Sequence, residues 1–252
     1  MKKQGGEMSY LEIIGMILLG VSIGVSKLGI PGAIISSPIL TTIYGGQLTQ
    51  GIMIPAVVVS DLNALYFYGK KFDKEALKKT LPTAILGILL AIFLGKYISV
   101  LAFKRMIAIL IIFVSIVTIL KNANMNFSKF SRIFGIIGGF ASAIGNVAGP
   151  LVSIYFLNIN LDKDKFYGTR TWFFFTLNTL KFVLYAIVWN NITAYTLIRS
   201  AIAIPGVILG VTMGKTLVTR FSQKTFEKFI IILSLLSALN LLFGDFVRGF
   251  FG

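Results

Sequence analysis

Ten apolar segments, cut apart by short lysine-rich stretches, limit what this chain can fold into more than any other feature. They cover about residues 9–27, 31–44, 50–69, 76–98, 103–120, 131–145, 148–160, 167–189, 194–215 and 224–243. Most approach the roughly 20 residues that a membrane-spanning helix needs. The second, sixth and seventh are short and contain or adjoin Gly and Pro, so broken or re-entrant helices are expected there. Period-2 alternation is absent, which argues against a β-barrel. The expectation is an all-α integral membrane protein of about eight to ten transmembrane or re-entrant helices.

Composition agrees. Hydrophobic residues make up 56% of the chain and charged ones only 13%, too few charges to cover a soluble surface. The net charge of +15 does not point to nucleic acid, because no soluble basic domain is present to carry it. The opening MKKQGGEMSYLEIIGMILLG is basic and then apolar, as in a signal peptide. No clean small-residue cleavage site ends the run, so it is read as a retained first helix. With no Cys and no His, disulfides, thiol chemistry, histidine relays and the usual soft metal ligands are all excluded.

If every segment crosses, alternate loops share a side. Most of the 24 Lys and Arg residues then collect on one side, including five lysines between 70 and 79, Lys163, Lys165 and Arg170. The positive-inside rule makes that side cytoplasmic and both termini external. Re-entrant pairs at segments 1–2 and 6–7 would change the side of the termini.

The two halves resemble each other. LPTAILG at 81–87 returns as IPGVILG at 204–210, and LNALYF at 62–67 as LNTLKF at 177–182. FKRMIAIL at 103–110 returns as FEKFIIIL at 226–233. The order is kept, so a duplication with five segments per copy is expected. The boundaries are 9–120 for the first repeat, 121–130 for a cytoplasmic linker and 131–243 for the second. An odd number of crossings inverts the second copy, an arrangement that secondary transporters use to build a site at the repeat interface.

Ionisable groups inside a bilayer are costly and mark function by default. Lys27 precedes Gly29, Pro31 and Gly32. Pro31 suits the first turn of a new helix, so a helix should stop near Lys27 and restart there. The free amides of the restart, with Lys27 and Ser36, would form an anion site; alternatively, Lys27 snorkels from a hairpin. The second half holds ASAIGNVAGPLVS at 141–153, with a second expected break at Asn146 and Gly149. It is either the matching half of the site or a close-packed small-residue interface.

Asp61 is the one acid deep within a segment, with Asn63 beside it. It pairs with Lys27 or Lys181, or carries a coupling proton. Asn178 and Lys181 are three apart and share a helix face. Lys181 lines a cavity or serves as a structural partner of Asp61. Arg170 marks the cytoplasmic entry of its segment, and Trp189 and Tyr195 fit an interfacial belt.

These stretches together resemble a known family. GVSKLGIPGAIISSPIL, IPAVVVSDLNALYFYGKKFD and LPTAILGILL look like the first half of the sulfite exporter TauE/SafE family (4-toluene sulfonate uptake permeases). GPLVSIYFL, RTWFFFTLNTLKFVLYAI and IPGVILGVTMGKTL look like its second half. The resemblance covers about residues 10–243. It implies a multi-pass transporter, in a prokaryotic plasma membrane, of small and typically sulfur-containing anions such as sulfite or organosulfonates. The GxGGG runs of many members are replaced by sparser glycines in both halves.

The expected function is therefore a secondary transporter that moves a small anion by alternating access, coupled to protons. Lys27, Gly29, Pro31, Gly32, Ser36, Asn146, Gly149, Asn178 and Lys181 are the candidate binding residues. A passive anion channel on the same scaffold is the alternative. No cofactor or metal is expected. An enzyme is not expected, because a single deep acid offers no carboxylate pair. No P-loop is present for ATP.

Overall fold

A computed structural model describes residues 8–27, 33–119, 131–159 and 161–220, with single helical positions at 232, 235, 236, 238, 239, 242 and 243. Among these residues there is no strand. Nine helices are delimited: α1 (Tyr10–Ser26), α2 (Ala33–Tyr44), α3 (Gly46–Tyr68), α4 (Lys74–Tyr97), α5 (Val100–Ile119), α6 (Ser131–Gly145), α7 (Gly149–Asn158), α8 (Lys163–Ile187) and α9 (Ala194–Arg220). They match the first nine expected segments to within a few residues. The tenth segment and the 121–130 linker lie mostly or wholly outside the described residues.

Local chemistry sets the ends. Ser9, Asp73 and Asp162 cap α1, α4 and α8, each accepting from the backbone N–H three residues on, as short polar side chains do at an N-cap. Gly45 sits at φ +86° between α2 and α3, a conformation that a side chain would oppose. Pro55, Pro82 and Pro205 lie inside α3, α4 and α9. Next to Pro55, the Ala56 N–H donates to Ser200 Oγ of α9 at 2.8 Å, so a neighbouring helix satisfies a backbone group beside the proline.

Among the described residues, three helices are long and apolar enough to cross a membrane: Gly46–Tyr68, Lys74–Tyr97 and residues Ala194–Met213 of α9. By contrast α2, α6 and α7, of 12, 15 and 10 residues, reach only about 18, 22 and 15 Å at 1.5 Å per residue. That falls short of a hydrocarbon core of roughly 30 Å. Large apolar side chains face outward on many helices, among them Leu18, Ile39, Phe93, Leu94, Ile109 and Ile198. Lipid is the solvent that such a surface suits.

Two close seams organise the packing. α1 lies along α9, and α6 lies along α4. In the first seam, a Cβ on Gly20 or Gly24 would strike the carbonyl of Ala203 or Val207, and one on Gly206 or Gly210 the carbonyl of Ile17 or Val21. In the second, Gly139 abuts the carbonyl of Ala84, and Gly87 that of Ile136. Small residues four apart let backbones touch where the hydrophobic effect is weak. α3 and α8 pack on each other, α3 also on α9, and α8 also on α4.

One placement differs from expectation. Trp189 is buried, stacked on Tyr185 at 4.5 Å, and donates to the Ile92 carbonyl, so it does not stand at a lipid interface. Tyr195 is covered by the Arg199 guanidinium at 3.6 Å. Phe173 is a core residue, set edge-on to Phe156.

Candidate functional site

Both expected helix breaks are present. α1 ends at Ser26 and α2 is in place by Ala33; α6 ends at Gly145 and α7 begins at Gly149. Gly29, Pro31 and Gly32 lie outside the described residues. At the second break Asn146 adopts φ +55°, which Asn tolerates better than most residues. That turn aims its side chain inward, towards α3 and α8.

Lys27 is buried, and its ammonium lies 2.6 Å from Asp61 Oδ1. Snorkelling is therefore not its role. Asn178 Nδ2 of α8 donates to the other Asp61 oxygen, also at 2.6 Å. Of the pairings open to Asp61, the structure selects Lys27. Lys181, one turn beyond Asn178, goes elsewhere. Its ammonium donates to the Ser142 carbonyl at 3.0 Å, to Ser142 Oγ at 3.0 Å and to Asn146 Oδ1 at 2.6 Å. Among the described residues no carboxylate is within ion-pair distance of it. Asn146 in turn donates to Gln50 Oε1 of α3 at 2.8 Å.

Arg170 is also buried. Its guanidinium donates to the Lys27 carbonyl at 2.9 Å and the Ser26 carbonyl at 3.1 Å, the freed acceptors at the end of α1. Its Nε donates to Ser153 Oγ of α7 at 3.1 Å, and its face covers Phe174. It thus ties one broken helix to the other, beside Gly149.

α3 and α8 therefore carry a polar column that joins the breaks: Arg170, Lys27, Asp61 and Asn178 at one level, Lys181, Asn146 and Gln50 at the other. On α3, Gln50 and Asp61 are eleven residues apart, about 16 Å along the axis. Among the described residues, Ser37 Oγ, Thr41 Oγ1, Gln50 Nε2, Ser60 Oγ and Asn63 Oδ1 are buried with no hydrogen-bond partner. Such atoms are costly in isolation. Ser36 is spent on Ser22 of α1.

Gln50 and Ser142 were not foreseen. A lone Gln or Ser in an apolar run carries no local signal. A second network was also not foreseen. Glu12 of α1 accepts from Arg199 Nε of α9 at 3.1 Å and from the Tyr44 hydroxyl of α2 at 2.5 Å.

A family model described as Sulfite exporter TauE/SafE matches residues 13–241. No curated protein matches the chain, and no solved structure does.

Proposed function

The chain belongs to the sulfite exporter TauE/SafE family, and we propose that it moves a small sulfur-containing oxyanion across the cell membrane by alternating access, with proton coupling. Membership makes it a multi-pass membrane transporter of an anion.

One observation carries the reading. The polar column holds three buried basic side chains, Lys27, Arg170 and Lys181, and one carboxylate, Asp61. A buried charge without a counter-charge is strongly unfavourable. The column therefore favours an anion that brings the missing negative charge. The free amides at a helix restart and the unpaired Gln50 Nε2 are donors of the kind that an oxyanion uses.

The repeat reading, with an inverted pair at 9–120 and 131–243, has its own support. The first helix of each half packs on the fourth helix of the other half: α1 on α9, and α6 on α4. Exchange of this kind is what a two-fold axis in the membrane plane produces. The anion would then sit between the breaks, held by Lys27, Asn178, Lys181, Asn146 and Gly149, with Asp61 balancing charge.

A thermal-shift screen of purified protein against sulfite, sulfate, thiosulfate and alkanesulfonates tests this, since a bound anion raises apparent stability by mass action. The expected result is a saturable shift with at least one of them, lost in Lys27→Met, and saturable flux of that anion in proteoliposomes. Identical melting with all of them, and no flux, would overturn the reading.

A further inference from the structure

We propose that Lys181 is the proton carrier of this transporter: its amine takes a proton from water as an anion enters the column and returns it to water when the anion leaves. The proposal rests on the anion-transport reading above.

Asp61 is badly placed for that role. Lys27 and Asn178 occupy both of its oxygens, so a proton there would displace a donor. Arg170 does not titrate. Lys181 is left: completely buried and, among the described residues, without a carboxylate in ion-pair range.

The cradle around Lys181 suits both protonation states. An ammonium has three N–H groups, and there are three acceptors: the Ser142 carbonyl, the Asn146 side-chain carbonyl and Ser142 Oγ. A neutral amine has two N–H groups and one lone pair. The two carbonyls can only accept and keep the two N–H groups. The Ser142 hydroxyl can turn and donate to the lone pair. No hydrogen bond is lost when the proton comes or goes. The proton adds to the nitrogen lone pair as a fourth bond and leaves by the same route, with no other bond changed.

The surroundings do not offer a competing carrier at this level. α6 presents Ser142, the turn after it presents Asn146, and α3 presents Gln50. Lys27 of α1 and Asp61 of α3 are committed to each other. Tyr185 of α8 gives its hydroxyl to the Ala143 carbonyl at 2.5 Å. On α4 the ionisable side chains Lys74, Glu75, Lys78, Lys79 and Lys96 are exposed, and α7 offers only Tyr155.

The test uses full-length protein in proteoliposomes containing a pH-sensitive dye, with labelled sulfate and ethanesulfonate as anions that hold a constant charge near neutral pH. In the wild type, an imposed anion gradient is expected to drive protons in the same direction as the anion. Lys181→Arg, with a fixed charge, is expected to lose proton movement, read as protons moved per anion transported, at least tenfold. Lys181→Gln, which carries no ionisable proton, should lose it too. Ser142→Ala should shift the pH at which flux is half-maximal while still moving protons. Proton movement that persists in either lysine variant, or wild-type anion flux without protons, overturns the proposal and leaves the transporter intact. Absence of wild-type flux with both anions, and with sulfite and thiosulfate as well, removes the transporter reading and this one with it.

Discussion

Asp61 holds Lys27 on one carboxylate oxygen and Asn178 on the other, each at 2.6 Å. One acid thereby fixes the end of a broken helix to the long helix of the other half. The arrangement makes the pair testable in two different ways.

Removing one member should be worse than removing both. Asp61→Asn leaves the Lys27 charge buried alone and is expected to cost about 3–5 kcal/mol, while the double variant Lys27→Met with Asp61→Leu should recover most of it. Transport should be lost in both. Thermal denaturation with parallel flux assays separates the two effects. A double variant as unstable as the single one would show that the pair is not the source of the loss.

Arg170 bonds two carbonyls and a hydroxyl at once, a fan of donors that lysine cannot reproduce. Arg170→Lys should therefore reduce the transport rate by roughly 10–100-fold, the equivalent of about 1.5–3 kcal/mol for lost hydrogen bonds to a charged group. Initial rates at saturating anion measure this. An unchanged rate would make the clamp dispensable.

The glycine seams should tolerate no added carbon. Gly87→Ala and Gly206→Ala, whose new Cβ would meet the Ile136 and Ile17 carbonyls, are each expected to destabilise by about 1–3 kcal/mol. Gly15 is in a helix with nothing within 4 Å of an added Cβ, so Gly15→Ala should be neutral or gain up to about 1 kcal/mol. Melting temperatures of the three variants check the contrast.

The chain has no cysteine, so a single introduced thiol reports alone. Ser37 is fully buried with an unpartnered hydroxyl. If it faces the transport path, Ser37→Cys should react with a membrane-impermeant thiol reagent whenever the path opens, and a bound anion should change the rate. No reaction from either face would remove Ser37 from the path.

Much of the architecture was legible in the chain. The apolar blocks gave the helix positions because lipid demands length and uniform apolarity. Pro and Gly marked both breaks because they act on the backbone locally. The Lys27–Asp61 contact was one of a few pairings that charge alone allows. The contacts that were missed share one property. Glu12 and Arg199 are 187 positions apart, and Gln50 and Asn146 are 96 apart. Only the fold brings these partners together, and no local pattern in the chain pairs them. Arg170 was placed by its position near a segment end, but its long side chain reaches inward to carbonyls that exist only because α1 stops there.

The two seams also constrain how the molecule can move. α1 belongs to the first half of the chain and α9 to the second, yet their backbones interlock at four glycines; α4 and α6 do likewise from the opposite side. Neither half can swing as a unit without tearing both seams. The packed units are hybrids, each assembled from both halves: α1 with α9, and α4 with α6. A gene split between the halves should accordingly yield two fragments that are stable only when made together.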